Sequence, residues 1–327
     1  MRTIKTIAII GAGGLGIRHL QSLCGIAHIE QFYVVDPSPS SQQNATKIFE
    51  ESSVASTQVL HLLQNQEGLP AEIDFVVVAT NSLIRKDVVT KLLSLSKVKY
   101  LILEKFLFPR LEDYAVIGQL LKETQTKAWV NCGRRMFDFY QGLRAQLKKD
   151  APTVMLVNAG NLSVGTHAIH FLDLFAFLTH QEGLDNIDLS LVHPTIYESK
   201  RPGYIEFKGS IVAKVGASTM IFQTFEDSNM PLQIIVNQPD KRFEILEHEF
   251  KVRSSTAETK WEWTEVPMDK PMQSRLTGMA ALQLEASGDC QLPTYEASAR
   301  LHLQLLEALL GFMKDRLNIE TDICNIT

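Results

Sequence analysis

The chain has 327 residues, 45% of them hydrophobic and 21% charged, with a formal net charge of −5 at pH 7. That length exceeds one ordinary core and suggests two domains, and the composition is that of a soluble globular protein. A mildly acidic balance with scattered Lys and Arg excludes a nucleic-acid binder, and no apolar run reaches the ~18 residues that would cross a bilayer.

Met1-Arg2-Thr3-Ile4-Lys5 enters a strand pattern directly, so no secretory leader is expected. The strand expected over 4–10 runs into Gly11-Ala12-Gly13-Gly14-Leu15-Gly16, a G-x-G-x-x-G turn that opens a helix over 14–25. In that arrangement Gly11 permits a tight turn, Gly13 lets the backbone approach a pyrophosphate, and Gly16 lets helix and strand pack closely. The phosphates would rest on the free N–H groups of the first helical turn, those of Gly14 and Leu15 among them. A second strand, 32–36, ends in Asp36, twenty residues beyond Gly16 and placed to bond an adenosine ribose. Pro37 and Ser38 follow it with no adjacent arginine, which favours NAD over NADP.

Alternating apolar and amphipathic segments continue, with helices expected over 39–50, 57–65, 83–95 and 111–125. Strands are expected over 73–79, 98–103 and 127–131. Strands separated by helix-length segments imply parallel βαβ units, whose ligands bind beyond the carboxyl ends of the strands. The loops after residues 10, 36, 79 and 103 should therefore line one crevice. Ala79-Thr80-Asn81-Ser82 brings hydroxyl and amide groups to that crevice for ribose or phosphate, and Asn81 or Ser82 also suits a helix N-cap. Glu104-Lys105 follows an all-apolar strand, where charges are costly unless paired, hydrated or used. Beside an oxidised nicotinamide, a lysine has its pKa lowered and can share a substrate hydroxyl proton. The alternative is a surface ion pair.

Beyond about residue 150 the pattern changes. Residues 204–215 alternate, with Ile205, Phe207, Ile211, Ala213 and Val215 on one side and Glu206, Lys208, Ser210 and Lys214 on the other. Strand-like runs follow at 218–225, 231–237 and 241–249, which indicates a largely antiparallel sheet. Helices near 272–286 and 294–314 close the chain. His167, His170 and Asp173 recur at i, i+3 and i+6 on an otherwise apolar helix. This stripe reads either as an acid–base pair, with His170 moving a substrate proton and Asp173 orienting it, or as structural histidines satisfied by backbone. The spacing is poor for zinc, and no metal is expected. Arg134-Arg135 would meet an anionic group or begin a solvated helix. Trp261, Trp263 and Phe250 belong to a sheet core or an oligomer face. Cys24, Cys132, Cys290 and Cys324 form no C-x-x-C pair and read as reduced thiols of a cytoplasmic protein. A G-x-S-x-G elbow and a G-x-x-x-x-G-K phosphate loop are both absent, which disfavours hydrolases and NTPases.

Taken in order, the glycine turn, Asp36, Ala79-Thr80-Asn81, Glu104-Lys105 and His170-Phe171-Leu172-Asp173 resemble the family of glucose–fructose oxidoreductase, inositol dehydrogenase and MocA-like proteins. The resemblance implies an α/β protein with an N-terminal Rossmann parallel sheet over 1–130. An α+β domain over 131–327, built on a large, mostly antiparallel open sheet, would follow for substrate binding and oligomerisation. It also implies a nicotinamide cofactor and a homodimer or homotetramer joined through the open sheet. Lys105 would be the catalytic lysine, with His170 and Asp173 at a sugar or polyol. Two residues depart from the family pattern. Phe106 stands where proline usually follows the lysine, so Lys105 must be oriented by something else. Phe177 stands where inositol dehydrogenase-like members place a histidine four residues after the aspartate, which argues against inositol. The surroundings of residues 131–136 and 170–175 and the ending Cys324-Asn325-Ile326-Thr327 are similar to those of bacterial members from surface-sugar biosynthesis. The expected activity is an NAD-dependent oxidoreductase for a secondary alcohol or ketone of a sugar or nucleotide sugar. A non-enzymatic NAD-binding regulator and an imine or amino-acid reductase are the alternatives.

Overall fold

The computed structural model describes residues 3–326, apart from the side chain of Gln273. The chain divides into two units. The first comprises the described part of Met1–Phe108 together with Glu112–Gly133 and Pro271–Glu296. Its elements are β1 (Thr6–Ile10), α1 (Gly14–Cys24), β2 (Gln31–Val35), α2 (Pro39–Ser52), β3 (Val59–Leu63), β4 (Glu72–Val78), α3 (Ser82–Leu95), β5 (Lys97–Leu103), α4 (Leu111–Glu123) and β6 (Lys127–Val130). The six strands are all parallel, in the order β3-β2-β1-β4-β5-β6. Strand order reverses beside β1, which creates the switch point where such sheets bind ligands. Phe75, Val76, Val77 and Val78 of β4 and Leu101 and Leu103 of β5 are wholly buried, as strands covered on both faces must be.

One element differs from expectation. Where the pattern predicts a helix over 57–65, residues 59–63 form the edge strand β3, paired in parallel with β2. The apolar pairs Val59-Leu60 and Leu62-Leu63 fit either period over so short a run, and the free edge of β2 decides the matter.

The second unit comprises Pro109–Leu111, Arg134–Lys270 and the described part of Ala297–Thr327. It contains α5 (Asp138–Gln146), β7 (Val154–Gly160), α6 (Val164–Leu178), β8 (Asn186–Asp188), β9 (Tyr197–Glu198), β10 (Ile205–Glu206), β11 (Ser210–Val215), β12 (Ser218–Phe225), β13 (Gln233–Gln238), β14 (Lys241–Leu246), β15 (Lys251–Thr256) and β16 (Thr264–Pro267). The large sheet runs β16-β15-β14-β13-β7-β12-β11-β8 and is antiparallel except where β7 lies parallel to β12. One face carries α6, whose Phe171 ring stacks on Phe222 at 5.3 Å. The strand expected over 204–215 is interrupted at Gly209 (φ +111°), where a Cβ would lie 2.6 Å from the Leu191 carbonyl oxygen. β10 therefore pairs with β9 in a sheet of two strands. Glu206, expected on the polar side, is buried.

The expected single boundary at residue 130 also changes. The chain returns to the first unit with α7 (Gln273–Ser287), then enters α8 (Tyr295–Leu317), which belongs to the second unit from Ala297 onward. α7 packs on α1 through Gly278, whose N–H donates to Ser22 Oγ at 2.8 Å. A Cβ on Gly278 would lie 2.8 Å from the Ser22 carbonyl oxygen, so this contact requires glycine.

Candidate active site

The turn between β1 and α1 is shaped by its glycines. Gly11 has φ +91°, and a Cβ there would touch the Ala79–Thr80 backbone at 3.0 Å. A Cβ on Gly16 would overlap the Gly11 carbonyl oxygen at 1.8 Å, so helix and turn meet backbone to backbone. At Gly13 and Gly14 a Cβ would meet nothing within 4 Å. No side chain caps α1, which leaves its first-turn N–H groups for an external acceptor. The Asp36 carboxylate closes the turn: Ala12 N donates to Oδ2 at 2.7 Å and Ser38 N donates to Oδ1 at 2.9 Å.

Beyond β4, Asn81 caps α3 by accepting from Ile84 N at 3.3 Å, which is the capping role foreseen for it. Thr80 Oγ1 is buried and has no hydrogen-bond partner among the described residues. A buried hydroxyl without a partner is costly, and one on the residue that abuts the Gly11 turn fits a ligand that supplies the missing bond. Leu83 and Ile84 beside it are exposed, 40% and 48%, and line the same turn with apolar surface. The open space at Gly13, the uncapped helix and the unpartnered Thr80 hydroxyl together fit a dinucleotide.

Sequence reasoning did not foresee Arg85. Its side chain, 1% exposed, donates from Nη1 to the carbonyls of Phe106 and Leu107 and from Nη2 to that of Thr80. One guanidinium thus fastens the loop after β4 to the loop after β5, at the point where Phe106 stands in place of a proline. The Lys105–Phe106 peptide bond is cis. Lys105 itself is half-buried.

Glu104 does not stand beside Lys105 as an open charge. It is 3% exposed, and its Oε1 accepts from His19 Nε2 at 2.8 Å and from Asn131 Nδ2 at 2.6 Å. Burial pushes its carboxyl up, but the His19 hydrogen bond and charge, the Asn131 amide and nearby Lys105 outweigh it and hold the pKa at about 2. His19 and Asn131 were also unforeseen. The one signal for His19 was a polar residue on the inward, apolar face of α1.

In the second unit α6 carries the expected polar stripe, but its members have separate surroundings. Asp173, 1% exposed, accepts two hydrogen bonds from Arg135, from Nε and Nη2, both at 2.8 Å. Burial pushes its carboxyl up, against the pull of Arg135. His167 Nδ1 lies 3.1 Å from Ser163 Oγ. His170 is half-buried in the middle of the helix. Arg134, expected to face an anionic group, is bidentate to buried Glu247 at 2.8 and 3.1 Å. Glu247 also accepts from Tyr140 Oη at 2.7 Å and lies 3.4 Å from Lys270 Nζ. Glu206 accepts from Thr166 N at 3.1 Å and from the Thr166 hydroxyl, which caps α6 one turn before His170. Asp173 and Arg134 thus have protein partners of their own, so their placement supports holding roles rather than direct contact with a substrate. Among the described residues no group of three His, Cys, Asp or Glu could hold a metal ion, and no helix is long and apolar enough to cross a membrane.

Residues 5–132 match the sequence family described as an oxidoreductase family with an NAD-binding Rossmann fold, which includes the glucose–fructose oxidoreductase, inositol dehydrogenase and MocA proteins. No curated protein matches the chain in sequence. Several solved structures share the fold over nearly the whole length. A UDP-N-acetylglucosamine 3-dehydrogenase from Acidithiobacillus ferrooxidans is 14% identical at TM-score 0.72, covering 98% of this chain and 99% of that one. An oxidoreductase from Agrobacterium radiobacter, in complex with NAD+, L-tartaric acid and magnesium, is 14% identical at TM-score 0.73, covering 95% and 97%. A biliverdin reductase from Synechocystis, in complex with biliverdin and NADP+, is 14% identical at TM-score 0.70, covering 93% and 97%.

Proposed function

Because residues 5–132 carry the NAD-binding Rossmann fold of the glucose–fructose oxidoreductase, inositol dehydrogenase and MocA oxidoreductases, we propose that this protein is an NAD-dependent dehydrogenase. Its substrate would be a secondary alcohol or ketone of a sugar or nucleotide sugar. The observation that carries the reading is the cradle itself: open space at Gly13, an uncapped α1 and a Thr80 hydroxyl without a partner. The first-turn N–H groups of α1 bind the pyrophosphate, and Asp36 bonds the adenosine ribose hydroxyls while repelling a 2′-phosphate, which favours NAD. The nicotinamide, when bound, supplies the hydride acceptor or donor.

The protein's own part is to bind, orient and move a proton. Lys105 holds the substrate oxygen and stabilises its developing charge, with Arg85 fixing the backbone that follows it. His170 takes the hydroxyl proton in oxidation and returns it in reduction. Asp173 and Arg135 brace the helix that carries His170. A carbohydrate substrate is supported by the fold shared with the UDP-N-acetylglucosamine 3-dehydrogenase, while the biliverdin reductase has the same fold with a different substrate. We also assign self-association to the outer face of the large sheet, where Val154 and Phe225 are exposed.

The test pairs NADH and NADPH binding, followed by fluorescence, with a panel of sugars, nucleotide sugars and imino acids, followed by nicotinamide absorbance. NADH should bind more tightly than NADPH, and a carbohydrate should give turnover that falls roughly 10²–10⁴-fold in Lys105→Ala and in His170→Ala. Preference for NADPH overturns the role of Asp36. Turnover of imino acids alone overturns the carbohydrate assignment. Full biological activity in Lys105→Ala with normal NADH binding would instead mark a regulator.

A further inference from the structure

A buried chain of four side chains crosses the first unit and takes no part in the proposed proton transfer. Thr277 Oγ1 of α7 lies 2.6 Å from His19 Nδ1, and His19 Nε2 lies 2.8 Å from Glu104 Oε1. Asn131 Nδ2 donates to that same oxygen at 2.6 Å. His19 is 1% exposed and Glu104 3%. An ionised carboxylate only accepts, so Nε2 carries a proton and donates to Glu104. Nδ1 then accepts from the Thr277 hydroxyl when the ring is neutral, or donates to it when the ring is cationic, and a hydroxyl serves both. Thr277 therefore lets the chain persist in either charge state of the imidazole.

The placement of the two central members is informative. His19 lies in the second turn of α1, and the first turn of that helix is the glycine cradle. Glu104 immediately precedes Lys105, at the end of β5. One imidazole thus joins the phosphate-binding helix to the strand end that presents the lysine. Neither end is slack. α1 is pressed against α7 at Gly278, and the backbone beyond Lys105 is held by Arg85. Leaving Glu104 buried without its partner is strongly unfavourable, so α1 and the end of β5 shift together more readily than they part.

We propose that His19 is a positioning residue that couples occupancy of the glycine cradle to the setting of Lys105. The proposal rests on the dinucleotide reading given above. A diphosphate seated on the first-turn N–H groups draws on α1, the draw passes through the His19–Glu104 bond, and Lys105 changes its setting before any nicotinamide reaches it.

ADP is the appropriate probe in the full-length protein, because it offers adenosine and a diphosphate but no nicotinamide and no second ribose. Its binding is measured by titration calorimetry, and the reactivity of Lys105 by the rate of reductive methylation, read by peptide mass spectrometry. In the unaltered protein, bound ADP should change the Lys105 rate by about fivefold or more. In His19→Leu the rate should no longer respond to bound ADP. His19→Gln, whose amide can donate to Glu104, should restore the response, which a merely structural role would not produce. His19→Asn stays polar but is too short to reach Glu104; it must show the same loss, and it takes the place of the leucine variant if that chain does not fold. A Lys105 rate indifferent to bound ADP in the unaltered protein overturns the proposal. So does a response that survives in the Leu and Asn variants, which would be the field of the diphosphate acting through space. Failure of ADP to bind the unaltered protein overturns the dinucleotide reading and this proposal together, whereas binding without response overturns this proposal alone.

Discussion

At Gly16 an added Cβ would lie 1.8 Å from a carbonyl oxygen, whereas at Gly13, three residues earlier, it would meet nothing within 4 Å. The two positions therefore separate stability from binding. Gly16→Ala should lower stability by about 2 kcal/mol in urea unfolding, the usual cost of overpacking against unyielding backbone. Gly13→Val should leave the unfolding midpoint almost unchanged while weakening NADH binding tenfold or more. An unfolded Gly13→Val, or one that binds NADH normally, would contradict the cradle. Glu104 gives a pH dependence. Its pKa in the folded chain is about 2, below its ordinary value, so its contribution is complete above about pH 5–6 and drains away as pH falls toward 2. The difference amounts to about 3 kcal/mol. Glu104→Gln should accordingly flatten the acid limb of stability, measured by urea unfolding at pH 6, 4 and 3. The glycine turn was legible because backbone geometry dictates residue type there. The partners of Glu104 were not, since His19, Asn131 and Thr277 come from three distant segments and only the fold brings them to one point.

Among the elements, the Rossmann strands announced themselves by unbroken apolar runs, and the expected bounds of β1, β4 and β5 lie within two residues of those observed. β3 failed because a five-residue run cannot distinguish the two periods. α5 was expected only as one of two readings of Arg134-Arg135, and β7 carried no expectation. β7 is the central strand of the large sheet, yet Asn158 and Gly160 on its outer side dilute the apolar pattern that would mark it. The return of α7 to the first unit left no trace in periodicity either, because its contacts, Gly278 on Ser22 and Thr277 on His19 among them, join segments more than 250 residues apart. Gly278→Ala should force α7 away from α1 and cost about 1–3 kcal/mol, read as a lowered midpoint in thermal unfolding. An unchanged midpoint would show that Ser22 and its neighbours yield without strain. The same variant tests the buried chain from the far side, because Thr277 is the preceding residue.

For the whole molecule, two units could be inferred from length and from the change in pattern near residue 150, but not the interleaved path of the chain. The outer face of the large sheet sets Leu156 of β7 between Ile221 and Ile235 on its two neighbours, and Val154 and Phe225 are each 40% exposed. Light scattering after size exclusion should therefore return at least twice the 36.7 kDa of one chain, and Ile221→Lys should return the single-chain mass. A single-chain mass for the unaltered protein would sink that assignment. The interleaving has a consequence for biosynthesis. A ribosome delivers α1 early, but α7 follows only after residues 134–270 have been made. At about 5–20 residues per second that interval is roughly 7–30 seconds, longer than most small folding steps. Throughout it, the surface of α1 that will meet Gly278 and Thr277 has no cover, and His19 lacks one of its two partners. The first unit to be started is thus completed only after most of the second has left the ribosome.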